Sequence, residues 1–345
     1  MDFRRLGPHC AFAFIPELEP LWGVASLLAG EEVHCLCSEL YGAETIAIWR
    51  RKYSFLFETY RALAPLQANL LDFLLDLSLK EFSLSGFQAY LLSIPPAEFA
   101  WRQLNLEYFC KDARLETLQQ ALTDDSALDE AYGWIADRCE SFLAFSAFLR
   151  QNHRLIGQFF ALAEELQTAA LETALQKQAP RIEALRQTVT DGAGGDLLAL
   201  SETLMGKTFH NRGPYEDFIF LPSYLLPMRA CRFFDTEGST KRQLLFLTLR
   251  PTARDQADRI RALKAMADPT RYQILCLLAQ KGPLRGTDIA REVSVATSTI
   301  SHHMEQMKDC GLVTEEPVKN SKYYGLSRQS AKALLEEIAK ELAIE

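Results

Sequence analysis

The stretch Val295-Ala296-Thr297-Ser298-Thr299-Ile300-Ser301-His302-His303-Met304-Glu305-Gln306-Met307 decides how the last quarter of this chain folds. Ile300, Met304 and Met307 recur at i, i+4 and i+7, the spacing of one apolar stripe on a helix. Thr297, Ser298, Thr299, Ser301 and His302 fall off that stripe and crowd into the helix's first turns. A helix is expected from about Thr297 to Asp309, opened by a tight turn at Ser294-Val295-Ala296 and closed by Cys310-Gly311. Its inner face is apolar, and its outer N-terminal end carries small hydroxyls.

The flanking sequence extends the pattern in both directions. Upstream, Asp258 to Met266 reads as a short helix. Asp268-Pro269 then gives an N-cap acceptor followed by proline at the first helical position, where its missing N–H costs nothing. The helix that follows is expected to bury Ile274, Leu275, Leu277 and Leu278 and to stop at Lys281-Gly282-Pro283. Thr287 is expected to cap a third short helix over Asp288 to Val293, with Asp288 at its positive end. Downstream, Leu312-Val313-Thr314 and Tyr323-Tyr324-Gly325-Leu326 flank Lys319-Asn320-Ser321-Lys322, which predicts a β-hairpin with a basic tip. Ser327 is expected to cap a last helix ending near Ile344, with Leu334, Leu335, Ile338 and Leu342 on one side.

Three helices, a turn, a fourth helix, a hairpin and a closing helix make a winged helix-turn-helix. In such a unit the N-terminal end of the second helix of the pair enters the major groove, where side chains meet base edges and free backbone N–H groups face phosphate. Thr297, Ser298, Thr299, Ser301 and His302 are the candidates for that role, and Lys319, Asn320 and Lys322 are candidates for backbone contacts from the wing.

Four motifs in this order carry a family resemblance: Ala267-Asp268-Pro269-Thr270-Arg271 with Ile274-Leu275, Ser298-Thr299-Ile300-Ser301-His302-His303-Met304, Gly311-Leu312-Val313, and Tyr323-Tyr324. Together they resemble the ArsR-type winged-helix transcriptional regulators over about residues 254 to 345. The resemblance implies a homodimer with paired outer helices on an imperfect palindrome in double-stranded DNA, usually repressing transcription until an effector binds. It places Thr297, Ser298, Thr299, Ser301 and His302 against DNA and His303 nearer the junction with the core. The metal-sensing members carry cysteines at the start of the helix-turn-helix, where this chain has Leu284-Arg285-Gly286-Thr287-Asp288, or His ligands in the last helix, which has none here. No metal and no cofactor are therefore expected in this segment. The family's usual serine at the recognition-helix N-cap is Ala296 here, a loss of about 1 kcal/mol unless Ser294 or Thr297 substitutes.

Residues 1 to about 250 have a different texture, rich in Leu, Phe and Ala. Leu63, Leu66, Leu70, Leu71, Leu74 and Leu77 recur at helical steps, as do Phe142, Phe145, Leu149, Ile156 and Phe159. Several helices are expected between Glu44 and Met205, the last of them over Asp196–Met205 after the turn at Gly192, Gly194 and Gly195. Phe218–Pro222 and Gln243–Leu249 read as strands, with Glu237-Gly238-Ser239 as a hairpin loop and Ala11–Ile15 as a further strand on the same small sheet. Pro20-Leu21-Trp22 and Leu221-Pro222-Ser223 are similar to the long accessory region of some ArsR-like regulators. The fold expected is mostly α: a helical N-terminal domain with a small sheet over 1–250, then a winged helix over 254–345, joined near Pro251-Thr252-Ala253.

Composition narrows the function. The chain has 345 residues and a net charge of −8, which excludes a uniformly basic nucleic-acid binder but not a local DNA-binding module. Residues 252–345 carry net +1 and the remainder net −9, so the C-terminal part is the one able to approach an anion. The first residues lack a signal-peptide pattern and the apolar runs are too short for a membrane span. Eight cysteines in a chain of this length are read as reduced thiols of a cytoplasmic protein. His34-Cys35-x-Cys37 is too tightly spaced for the usual zinc pairs, so buried thiols are expected there. His210-Asn211-Arg212-Gly213 reads as a solvated loop, and Trp22, Trp49, Trp101 and Trp134 as core rather than the wall of an effector pocket. The chain shows no Gly-rich phosphate loop, no G-x-S-x-G, no H-E-x-x-H and no paired-carboxylate signature, so nothing in it recommends an enzyme. The expectation is a homodimeric regulator with an N-terminal effector-sensing or dimerisation domain. The alternatives are a winged-helix protein-interaction module without DNA binding and a DNA-binding module fused to an enzymatic domain.

Overall fold

Strands Asp217–Ser223 (β3) and Arg242–Thr248 (β5) are apolar along nearly their whole length, as strands buried on both faces must be. In the computed structural model they pair in parallel at the centre of a five-stranded sheet of order β1-β2-β3-β5-β4, with β1 at Asp2–Arg5, β2 at Cys10–Phe14 and β4 at Ala230–Phe234. The structure describes residues 2–29, 36–66, 69–106, 110–139, 141–227, 230–234, 241–249, 256–318 and 321–344. His34, Cys35, the loop Glu237-Gly238-Ser239, the joint Pro251-Thr252-Ala253, and Lys319 and Asn320 lie outside them.

Strand alternation sorts the sheet into two cores. Ala11, Ala13, Ile219, Leu221, Phe233, Leu244 and Phe246 face one side, and Cys10, Phe12, Phe218, Phe220, Leu245 and Leu247 the other. The first side is covered by helices α1 (Glu19–Leu28), α2 (Leu36–Tyr41), α3 (Ala43–Lys52), α4 (Ser54–Leu63), α5 (Leu84–Ser93), α6 (Pro96–Gln103), α7 (Leu115–Ala121), α8 (Asp125–Gly133), α9 (Phe142–Arg150), α10 (Asn152–Glu165) and α11 (Ala169–Gln176). The second side is covered by α12 (Ala179–Gly192) and α13 (Leu197–Met205) through Val189 and Met205, and by Phe209 just after α13. The helix expected over Asp196–Met205 is α13, and Asp196 is its cap, accepting from the backbone N–H groups of Leu198 and Ala199 at 3.0 Å each.

The leucine stripe from Leu63 to Leu77 does not form one amphipathic helix. α4 ends at Leu63, a 3₁₀ turn follows at Ala64–Leu66, and Leu70–Asp76 is 3₁₀ with Asn69 accepting from Leu71 at its start. Pro65 has no N–H to continue the α-helix. Leu63, Leu66, Leu70, Leu71 and Leu74 are still fully buried, so the spacing reported burial correctly and conformation wrongly. The second stripe also splits, at Gln151, into α9 and α10. Trp22 and Trp49 are core; Trp22 stacks on Phe233 and meets Phe246 edge-on. Cys10 and Cys37 are buried in different cores, and among the described residues no group of three His, Cys, Asp or Glu could hold a metal ion. Among them, too, no helix is long and apolar enough to cross a membrane.

Residues 256–344 form a separate core built on Ile274, Leu275, Leu278, Ile289, Ile300, Met304, Met307 and Leu334. Its elements are α14 (Gln256–Ala267), α15 (Pro269–Lys281), β6 (Leu284–Arg285), α16 (Gly286–Val293), α17 (Thr297–Asp309), β7 (Val313–Val318), β8 (Ser321–Leu326) and α18 (Arg328–Glu341). The two-residue β6, not foreseen in the sequence, pairs with β8 and completes a three-stranded sheet. Thr287 is not a cap: α16 begins at Gly286, with Arg285 at the cap position and no side-chain acceptor there. Pairing of Leu284 and Arg285 with Tyr324 and Tyr323 brings the chain into the helix two residues early. Ser327 sits at the cap position of α18 but makes no capping bond, its ψ of 80° lying away from the extended geometry a cap needs.

One buried carboxyl group ties the first domain together. The Glu19 carboxylate accepts from Ser223 Oγ at 3.1 Å and from the backbone N–H groups of Tyr224 and Leu225 at 3.0 and 2.8 Å, pinning the end of β3 to the start of α1. Burial pushes its pKa up to about 7, while these hydrogen bonds pull it down. Between its ordinary 4.5 and about 7 the folded chain keeps a proton that the unfolded chain has lost, so stability falls as pH rises through that window. Thermal unfolding at pH 5 and pH 8 checks this: Glu19→Gln is expected to remove part of the wild-type fall in Tm between the two. An equal fall in both proteins counts against it.

Candidate nucleic-acid interface

Helix α17 is held by its inner face. Ile300, Met304 and Met307 are at most 1% exposed, so the residues between them must face out. Thr297, Ser298, Thr299, Ser301 and His302 are all exposed, and His303 is half-buried at the edge of the core, as the sequence suggested. Among the described residues the hydroxyls of Thr297, Ser298 and Thr299 have no hydrogen-bond partner. Ser301 donates to the carbonyl of Thr297 at 3.1 Å, and His302 Nε2 lies 2.9 Å from Gln306 Nε2. The turn before the helix is made by Ser294 at φ 57°, a left-handed conformation that closes α16.

The N-terminus of α17 is open. Ala296 holds the extended cap geometry, φ −61° and ψ 145°, and no side chain accepts there; neither Ser294 nor Thr297 substitutes. The first N–H groups of a helix have no partner within it, and together with the helix dipole they favour an anion. This end therefore offers unpaired N–H groups and free hydroxyls on one exposed surface.

Arg271 fixes the angle of α17 to its neighbours. Its backbone N–H bonds to Asp268 Oδ1 at 2.9 Å, its Nε donates to the carbonyl of Ala265 at 2.9 Å, and its guanidinium reaches Gln306 on α17. Sequence marked Asp268-Pro269-Thr270-Arg271 as a helix start; the structure adds that Arg271 joins three helices.

The wing is a β7–β8 hairpin whose described residues include Lys322 but not Lys319 or Asn320. Lys322 is exposed and pairs with Glu315 Oε1 at 3.2 Å. The other face of the wing is not free. Glu316 and Tyr323 are partners in the ladder, so their side chains share a face, and that face lies against the N-terminal domain. Arg232 Nη1 donates to Glu316 Oε1 at 2.7 Å, the backbone N–H of His210 donates to Glu316 Oε2 at 2.7 Å, and the His210 ring stacks on Tyr323 at 3.6 Å. His210-Asn211-Arg212-Gly213 is exposed at His210, Arg212 and Gly213, as a solvated loop is, and the structure adds that its first residue also touches the wing. Burial pulls the Arg232 guanidinium and the nearby Lys207 ammonium below their ordinary range, with Glu316 opposing in both cases. The sequence held one hint: Arg232 interrupts the apolar strand Ala230–Phe234, and a charge there needs a partner.

Fold and surface together define a winged-helix DNA-binding regulator. Comparison with known proteins places it: the model of the family "Bacterial regulatory protein, arsR family" matches residues 268–315. In this region the chain is 31% identical over 80 residues to the cadmium resistance transcriptional regulatory protein CadC homolog of Staphylococcus aureus, spanning 23% of this chain and 66% of that protein. It is 32% identical over 74 residues to the arsenical resistance operon repressor of Bacillus subtilis, 21% of this chain and 70% of the relative. It is 29% identical over 90 residues to the transcriptional activator HlyU of Vibrio cholerae, 26% of this chain and 82% of the relative. The chain belongs to the ArsR family.

The open N-cap gives a direct check of the local geometry. Because Ala296 already holds cap dihedrals, Ala296→Ser is expected to stabilise the protein by roughly 0.5–1 kcal/mol in urea unfolding. An unchanged or lower midpoint would show that this end is already satisfied.

Proposed function

We propose that this protein is a homodimeric, sequence-specific DNA-binding transcriptional regulator that presents the start of α17 to the major groove. The observation that carries the reading is the exposed, uncapped helix start with Thr297, Ser298, Thr299, Ser301 and His302 around it. Ser298 and Thr299, free of partners, are placed on base edges; Lys319, Asn320 and Lys322 are placed on the phosphate backbone, where they position rather than read. Double-stranded DNA with two half-sites is the partner, and the cytoplasm is the expected location. The relatives' names include a repressor and an activator, so regulation in either direction suits the family; repression is the sign proposed here.

Dimer formation has a surface of its own. Ile260 and Leu263 on α14, Leu335 on α18 and Leu342 directly after it are each at least 40% exposed, and the two helices pack against each other. Leu335 and Leu342 belong to the apolar side of the last helix read from the sequence, yet only Leu334 of that side is fully buried by its own chain. A second copy of the chain would cover them. A pair of winged helices must hold its recognition helices about one DNA turn apart, ~34–36 Å, so dimer geometry controls affinity.

We further propose that residues 1–250 form a non-enzymatic effector-sensing or dimer-extending domain and 254–345 the DNA-binding domain.

DNA titration at several salt concentrations tests the reading. Affinity is expected to fall steeply with salt, and Lys322→Ala to weaken every sequence alike while flattening the log–log slope by about one for each phosphate left unneutralised. Ser298→Ala should instead weaken the preferred site selectively. Binding that ignores salt, or a sequence-selective loss in Lys322→Ala, contradicts the roles assigned. For the dimer, Leu335→Asp is expected to shift the sedimenting species to monomer and to lose tight operator binding. A dimer that persists in that variant places the interface elsewhere.

A further inference from the structure

Arg232 and Glu316 form an ion pair in which both side chains are almost wholly removed from water, at 1% and 7% exposure, although they belong to different domains 84 residues apart. Arg232 is built in on every side. Its Nε donates to Gln243 Oε1 at 2.6 Å, and its Nη2 donates to the carbonyl of Asn211 at 2.9 Å. Its guanidinium carbon lies 3.8 Å from the Phe209 ring centre, 4.3 Å from that of Phe234 and 5.0 Å from that of Tyr215. Glu316 is held by Arg232 and by the His210 N–H, with the His210–Tyr323 stack beside it.

We propose that this pair is a latch by which the N-terminal domain grips the wing and holds the winged helix in its DNA-binding pose. The proposal rests on the DNA-binding function argued above and adds how the larger domain reaches it. Three observations support it. First, the contact is made by the wing, not by the helix core, and the wing carries Lys322 on the neighbouring residue. A shift of β4 or of the loop 209–213 therefore moves the wing directly. Second, a buried charge pair resists partial opening: separating the groups without rehydrating both leaves a charge stranded in the interior, which is heavily penalised. Such a contact is either closed or open, which a switch requires. Third, the closed form leaves Thr297, Ser298, Thr299, Ser301 and His302 exposed and compensates the Glu316 carboxylate. Opening would release that carboxylate two residues before the end of β7, near the hairpin tip, where it would repel phosphate. Closed is therefore the competent state, and a ligand of the N-terminal domain that loosened β4 or the 209–213 loop would lower DNA affinity.

Two variants of the full chain, Arg232→Met and Glu316→Gln, test the latch with two readouts. Amide hydrogen exchange over β7 and β8 reports the contact itself, independently of DNA. It is expected to rise in both variants while exchange in α15 and α17 stays at the wild-type level. Operator affinity reports the coupling. It is expected to fall about tenfold in each variant, within the range usual for coupled sites, and the double variant is expected to be no worse than the weaker single one because both break the same contact. Glu316→Gln alters only the wing, so it decides the matter if Arg232→Met disturbs the sheet. Unchanged wing exchange in Glu316→Gln overturns the latch. Raised exchange with unchanged or tighter DNA binding overturns its role as a hold on the competent pose. A wild-type chain that binds no DNA defeats the functional reading instead, and leaves the exchange result to judge the contact alone.

Discussion

The seating of Ile300, Met304 and Met307 in the C-terminal core is the interaction on which the DNA-binding reading depends. With these three side chains buried, α17 has no rotational freedom, and its hydroxyl-bearing first turn has nowhere to go but outward. Leaving that turn uncapped forgoes about 1 kcal/mol of local stability. The same omission keeps the leading N–H groups available, which is what an anion-binding helix start needs. Arg271 then sets the helix's angle by bridging Asp268, Ala265 and Gln306.

The second constraint is electrostatic and runs between domains. The N-terminal domain is a helix-covered sheet with both faces buried, and its outermost strand β4 turns one arginine toward the wing. That arginine is screened by aromatic rings and hydrogen-bonded through each of its three nitrogens, to an amide, a carbonyl and a carboxylate. The winged helix is consequently held to the rest of the molecule through the wing as well as through the chain. In the dimer proposed above, whose two recognition helices would have to match the spacing of a duplex, such a contact would turn a small rearrangement in the large domain into a change of register on DNA.

The sequence revealed the C-terminal domain almost element by element, because its signals are local: Asp268-Pro269 before a helix, a stripe at i, i+4, i+7, and a hairpin turn between two apolar runs. It revealed burial in the first domain better than conformation. Leu63 to Leu74 are core as their spacing implied, yet Pro65 and Asn69 break the segment into 3₁₀ pieces. The strands β1 and β6 gave no signal, one being charged and exposed and the other two residues long. Thr287 resembled a cap only because the pairing of β6 with β8 could not be seen from the residues themselves. The interdomain contact was the least legible of all. No periodicity links Arg232 to Glu316 or His210 to Tyr323, and only the isolated charge in an apolar strand pointed to a missing partner.

Recognition of discrete DNA sites through the outward turn of α17 is the property on which everything else turns. Genome-wide recovery of the DNA bound to the full-length protein in its own cells reads it out without intermediaries. A small set of sharply enriched sites is expected, each with two related half-sites whose centres lie about one helical turn, ~10–10.5 base pairs, or a multiple of it apart. Recovery that is uniform along the chromosome, or no greater than that of a protein lacking residues 297–302, would refute site recognition by this helix.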